Sequence, residues 1–218
     1  MNDREAILAR IRANLRSAVG IPDEQPAAAL SDYLHAHAQG PRPNSDWPDL
    51  AVRFTERAQK LSSSVAEIGS LDELPDAVAR YLEARQLRRA AVCWPELAAL
   101  PWLEAGIAME ARPAIGADLV GVTGAFCGIA ETATLMLLSG PSTPATTSLL
   151  PETHIAVLPV ARLVKGMEDA WNLLRREHGW LPRAVNFISG PSRTADIEQT
   201  IVIGAHGPYR VHIVLVAC

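Results

Sequence analysis

No Cys-x-x-Cys pair occurs in this sequence, whose three cysteines stand far apart at Cys93, Cys127 and Cys218. Iron–sulfur clusters and structural zinc need grouped thiolates, so this chain is expected to hold neither, nor any other metal. Cys93 falls in an apolar strand pattern and reads as core filler. Cys127 lies in a small-residue loop with no His or Asp close in sequence to activate it. Basic clusters are missing too, and a net charge of −4 leaves no footprint for nucleic acid. No run approaches the ~18 apolar residues of a membrane span. The N-terminus passes directly into an amphipathic helix pattern rather than a signal peptide, so the expected location is the cytoplasm. Gly-x-Gly-x-x-Gly, the P-loop, Gly-x-Ser-x-Gly and His-Glu-x-x-His are all absent. Dinucleotides, nucleoside triphosphates, hydrolase elbows and zinc-protease sites are therefore without their usual signals.

What is present suits one globular domain with an appendage. The 218 residues are 49% apolar and 20% charged, enough for a substantial core. Ile7, Leu8, Ile11 and Leu15 recur at helical spacing and Gly20-Ile21-Pro22 stops the pattern. Residues 23–38, rich in Ala, are expected to be a second helix or a partly ordered arm, with His35 and His37 two apart and so unable to share a metal from one helix face. Three prolines and a glycine between Gln39 and Pro48 mark a linker. The expected organisation is a helical arm and linker over residues 1–45 and an α/β domain over 46–218.

Within that domain, helical and strand patterns alternate. Leu50, Phe54, Ala58 and Leu61 share one helix face; 65–68 is a short strand; Ser70 and Glu73 form a capping box ahead of a helix to Gln86. Strands are expected at 90–94, 106–110, 118–124, 133–138, 155–158, 184–188 and 211–217. A helix is expected within 95–103, a short helix or bend over 125–130, an irregular loop over 140–148, and a helix over 165–178 with Met167, Ala170, Trp171 and Leu174 inward. This rhythm predicts an open, mainly parallel sheet with helices on both faces.

The chemistry concentrates near the C-terminus. Apolar residues 184–188 lead into Ser189-Gly190-Pro191, then Ser192, Arg193, Thr194, Asp196 and Glu198, and a second loop runs Gly204-Ala205-His206-Gly207-Pro208. Polar loops framed by buried strands are common ligand sites, because the scaffold is rigid and the loop backbone is free. The Ser189–Ser192 turn and an Asp-containing short helix after it would offer N–H groups to a carboxylate or phosphate, with Arg193 beside them. The competing reading has Arg193 paired with Asp196 or Glu198 to brace a turn. Glu131, between two apolar runs, is expected near the core, either accepting N–H bonds from the Gly124 turn or serving as an acid–base group. His154, at the start of a strand, either reaches a site or, as the favoured reading, is a satisfied structural histidine.

The segment Gly190-Pro191-Ser192-Arg193-Thr194-Ala195-Asp196-Ile197-Glu198, followed by Gly204-x-His206-Gly207-Pro208 and an apolar strand, resembles the lactate utilization protein C family, the LUD domain. Ile129-Ala130-Glu131-Thr132 and Ser148-Leu149-Leu150-Pro151-x-x-His154 resemble the family's earlier motifs. That family usually has glycine after the Glu-Thr pair; this chain has Ala133, whose side chain disfavours positive φ. The resemblance implies a fold similar to the sugar-isomerase and CoA-transferase superfamily. It also implies a role in oxidising L-lactate to pyruvate beside iron–sulfur partner proteins, with no cofactor in this chain.

Three functions follow as expectations. The first is a subunit of a lactate-oxidising system that binds a small organic acid, with Glu131 and His206 as proton-transfer candidates. Gly124, Thr132, Gly190, Ser192, Arg193, Thr194, Asp196 and Gly207 would then be ligand-binding. The second is an independent enzyme acting on a sugar phosphate or acyl-CoA. The third is a non-catalytic regulatory protein.

Overall fold

The computed structural model describes residues 3–19, 25–40, 42, 46–194 and 202–217. The chain divides into two compact units, residues 1–43 and 44–218. The first carries two helices, α1 (Asp3–Val19) and α2 (Gln25–Ala36), with His35 and His37 both exposed.

The second unit is built on a six-stranded, all-parallel sheet of order β1-β12-β7-β4-β2-β3. Its strands are β1 (Ser64–Ile68), β2 (Ala90–Cys93), β3 (Ala108–Ala111), β4 (Val120–Gly124), β7 (Thr153–Pro159) and β12 (Arg210–Val216). Side-chain alternation along these strands assigns them to two cores. Ile155 and Val157 of β7, with Val214 and Val216 of β12, pack against Leu74, Val78 and Leu82 of helix α4 (Leu74–Ala84). Ala156 and Leu158, with Val211, Ile213 and Leu215, face the opposite way, against Phe54 and Ala58 of α3 (Leu50–Lys60). Asp49 caps α3 by accepting from the Ala51 and Val52 N–H groups at 2.8 and 3.1 Å. Ahead of α4 the Ser70 N–H donates to the Glu73 carboxylate at 3.1 Å, the backward half of the expected capping box.

The expectation of one sheet is corrected by a second. Four strands, β5 (Cys127–Ile129), β6 (Thr134–Leu138), β8 (Leu163–Val164) and β9 (Val185–Ile188), form a mixed sheet of order β8-β5-β6-β9. Ala130, Ala133, Leu135 and Leu137 turn one side of it to the α3 core. Cys127, Ile129 and Met136 turn the other to Ala170 and Leu174 of α6 (Met167–His178). Residues 127–129 are thus strand, not the expected helix or bend: the small residues there were hiding a three-residue buried run.

Three further local expectations change. Only a 3-10 turn, Pro95–Leu97, follows β2 where a helix was expected. The supposedly irregular loop over 140–148 carries a short helix, α5 (Thr146–Leu149), whose approach to β4 is so close that a β-carbon on Gly121 would lie 2.0 Å from the Thr147 carbonyl oxygen. After the Ser189–Ser192 turn, Arg193–Thr194, expected as polar loop, form strand β10, paired antiparallel with β11 (Val202–Ile203); the short helix expected around Asp196 falls outside the described residues. Asp196 and Glu198 lie outside the described residues.

Candidate functional site

The loops singled out in the sequence meet at the N-terminal edge of the parallel sheet. Gly190 adopts φ +82°, and a β-carbon there would lie 2.6 Å from the Leu61 carbonyl oxygen, so the turn presses directly on the α3–β1 connection. The Ser192 N–H donates to the Pro208 carbonyl at 2.9 Å, and the Ser192 carbonyl accepts from the Gly204 N–H at 2.9 Å. Gly207 stands against Ser192, where its own β-carbon would be 3.3 Å from the serine's. Gly190, Ser192, Arg193, Thr194 and Gly207 therefore form one loop cluster. His206 sits on it with its side chain exposed. Arg193 commits Nη2 to the Leu61 carbonyl at 3.2 Å and to Ser62 Oγ at 2.5 Å, bracing the chain where it turns into β1.

Beside that brace lies a polar pocket of about 240 Å³, lined by Ser62, Ser63, Ser64, Tyr81, Arg85, Tyr209, Arg210 and Val211. The chain entering β1 supplies three consecutive serines, Ser62 to Ser64, the start of β12 supplies Arg210, and the last turn and C-cap of α4 supply Tyr81 and Arg85. Ser63 is 5% exposed and its Oγ has no hydrogen-bond partner among the described residues. Arg210 Nη1 is 3.9 Å from the Glu152 carboxylate, an ion pair beyond hydrogen-bond reach. Burial raises the Tyr81 hydroxyl, while hydrogen bonding to Ser64 and the charges of Arg85 and Arg210 pull it back. Behind the pocket His212 stacks on Tyr81 with centroids 4.0 Å apart and meets Ser64 Oγ at 2.9 Å. Burial, with Arg85 adding to it against a bond to Ser64, pushes this imidazole down to about 4. The result is a small cavity of positive charge and hydroxyls, suited to an anion. None of its side chains was singled out from sequence. The available signal was Ser62-Ser63-Ser64 directly before a strand, with an Arg leading another strand.

The remaining candidates sit elsewhere. Glu131 follows β5, donating its N–H to the Lys165 carbonyl at 3.0 Å and accepting at its own carbonyl from Arg53 at 3.4 Å. Its half-buried carboxylate faces Gly166 at the start of α6, not the Gly124 turn, and it is not wedged in the core. Thr132, Thr134 and Ser189 form a hydroxyl chain with steps of 2.7 and 2.5 Å, which ties the Glu131 turn to the Gly190 loop. Ala133 does adopt the positive φ, +51°, with its methyl buried in the core. Gly124 ends β4 at the opposite, C-terminal edge of the sheet. His154 is fully buried, pairs with Thr123 Oγ1 at 2.8 Å, and is pushed down to about 4 by burial. Cys127, buried in β5 and raised to about 12 by burial, is unfit as a nucleophile. No helix among the described residues is long and apolar enough to cross a membrane.

The model of the LUD domain matches residues 51–216. Lactate utilization protein C of Exiguobacterium sp. is 32% identical over 99% of this chain and 96% of its own length. The protein of the same name from Bacillus subtilis is 37% identical over 45% of this chain and 42% of its own. The crystal structure of a DUF162 family protein from Deinococcus radiodurans is similar with a TM-score of 0.57 and 26% identity, covering 77% of this chain and 96% of that one.

Proposed function

Because this chain belongs to the LUD domain family, we propose that it serves L-lactate utilization as a subunit that binds a small 2-hydroxy or 2-oxo acid. The observation that carries this reading is the pocket of Ser62, Ser63, Ser64, Tyr81, Arg85 and Arg210. Guanidinium groups and hydroxyls recognise a carboxylate by charge-assisted hydrogen bonds. At roughly 30 Å³ per water, 240 Å³ holds about eight waters, room for a six-heavy-atom acid and a few bridging waters. The name carried by the Exiguobacterium relative, matched along nearly its whole length, supports the biological setting.

In this reading Arg85 and Arg210 take the carboxylate, and the serines and Tyr81 bond the hydroxyl or keto oxygen. Arg193 is a positioning residue, holding Ser62 and the Leu61 carbonyl in place. Glu131 and His206 belong to other elements than the pocket, so proton transfer is not assigned to them here. Oxidation of lactate releases two electrons, which iron–sulfur partner proteins would accept; this chain binds and orients the acid. The sheet architecture also suits the sugar-isomerase and CoA-transferase superfamily, whose members handle phosphorylated ligands.

Thermal-shift and calorimetric titration with L-lactate, pyruvate, a sugar phosphate and coenzyme A tests the reading. L-lactate or pyruvate at a hundredfold its Kd should add about 2.7 kcal/mol, a shift of several degrees. Arg85→Ala and Arg210→Ala should each weaken that binding by about 1.5–3 kcal/mol, the cost of a lost charged hydrogen bond. Stabilisation by sugar phosphate or coenzyme A alone would favour an independent superfamily enzyme. Affinity for the acids unchanged by both variants would overturn the assignment of this pocket.

A further inference from the structure

At the other edge of the sheet the topology makes a second crevice. The chain leaves β2 toward β3 on one side and leaves β4 toward β7 on the other, so the sheet's direction of travel reverses between β2 and β4. In open parallel sheets the loops diverge at such a point and leave a cleft beyond the C-terminal strand ends, the place where these folds commonly bind ligands. Here the cleft has a volume of about 400 Å³. One wall is Trp94 and Ala125, just past the ends of β2 and β4; a second runs from the end of β6 at Leu138 to Thr143; the third is His178, which ends α6, with Trp180 and Pro182 beyond it.

Three features define what it would hold. Aromatic groups dominate the walls: Phe126 and His178 lie 5.5 Å apart, and His178 and Trp180 stand edge-on at 6.2 Å. Trp94 is 4% exposed and fixed by its indole N–H donating to the Pro144 carbonyl at 3.1 Å, which ties the 140–148 segment to the cleft. Among the described residues Glu96 is the one carboxyl in the lining, and no Lys or Arg lines it. Arg162, stacked on Phe126, is held in a bidentate pair with Glu177 at 2.6 and 2.9 Å. Glu96 Oε1 occupies the space that a side chain at position 124 would take, 2.3 Å from where a β-carbon on Gly124 would stand. Any side chain there would displace it. Although Glu96 is exposed as a residue, burial of its carboxyl raises its pKa, and it makes no hydrogen bond among the described residues.

We infer that this cleft is a second ligand site, taking a neutral planar heterocycle that lies against Trp94, Phe126 and Trp180 and presents an N–H/C=O edge to Glu96. An aromatic slot gives dispersion and stacking to a flat ring. A lone carboxyl without a cation disfavours anions, yet matches the donor and acceptor pair of a lactam edge, accepting from the N–H and, when protonated, donating to the carbonyl. The site is separate from the Arg85–Arg210 pocket and does not depend on what that pocket binds.

Equilibrium dialysis of the full chain against riboflavin and against guanosine tests this, since one brings a three-ring lactam and the other a purine lactam. Saturable binding of either at one equivalent is expected. Glu96→Ala and Trp180→Ala should each weaken it at least tenfold, with far-UV circular dichroism unchanged because both residues are exposed. Arg85→Ala should leave it intact, which separates this site from the acid pocket. No saturable binding of either probe, or binding that Glu96→Ala and Trp180→Ala leave unaltered, would overturn the inference.

Discussion

Acid should destabilise this fold steeply, through two histidines. His154, on β7, is fully buried against Thr123 of β4, and His212 is 4% exposed beneath Tyr81. Each has one ring nitrogen engaged by a hydroxyl and the other, Nδ1 of His154 and Nε2 of His212, without a partner among the described residues. Burial therefore holds both neutral, with folded values of about 4 against about 6.5 in an unfolded chain. Between those limits the unfolded state binds a proton at each site and the folded state refuses it, so stability is intact above pH 6.5 and is lost as pH falls toward 4. At 1.36 kcal/mol per pKa unit, each histidine costs about 2 kcal/mol by pH 5, roughly 4 together, a large share of a typical 5–15 kcal/mol. Glu96 works in the opposite direction, because its raised pKa favours proton uptake by the folded chain. Asp118, lowered by Arg112, adds its loss only near and below the ordinary carboxylate range. Urea unfolding followed by circular dichroism at pH 7.5, 6.5, 5.5 and 5.0 gives the measurement. The expected slope between pH 6 and 5 approaches 2.7 kcal/mol per unit, and His154→Gln or His212→Gln should each roughly halve it. A flat profile, or a slope that both variants leave unchanged, would refute the argument that the pair is buried neutral.

Two backbone predictions probe the packing around the motifs. Gly121→Ala should cost about 2–3 kcal/mol, the upper range for overpacking, because its β-carbon meets the Thr147 carbonyl oxygen at 2.0 Å rather than a flexible side-chain tip. A neutral result in urea unfolding would mean that α5 does not rest on β4. Ala133→Gly should change stability by less than about 1 kcal/mol: relief of a left-handed alanine, about 1–2 kcal/mol, is offset by the lost methyl burial and the added chain entropy of glycine. A loss beyond about 2 kcal/mol would argue against the positive φ.

The parallel sheet was legible because its strands announce themselves: β7 and β12 carry the apolar runs 155–158 and 213–216, as expected of strands covered on both faces. The second sheet was not, since β5 and β8 have only three and two residues, too short for any period to register. The sites were legible in proportion to how local they are. The Gly190–Gly207 loops read as one polar cluster and do meet, through the Ser192 bonds to Pro208 and Gly204. Arg193 shows the limit of that reading. A guanidinium among carboxylates and hydroxyls looks like a ligand group from sequence, yet its partners, Leu61 and Ser62, lie some 130 residues away. The pocket it braces is drawn from three segments that share no sequence neighbourhood: the Ser62–Ser64 run, the end of α4 and the start of β12. Strand order brings β12 beside β1, and it also separates Gly124 from the loops it was grouped with, sending it to Glu96 at the opposite edge. A spacing argument can find residues fit for chemistry. Which of them work together is decided by the order of strands, and here that order leaves two pockets, one cationic and one aromatic, at opposite edges of the parallel sheet.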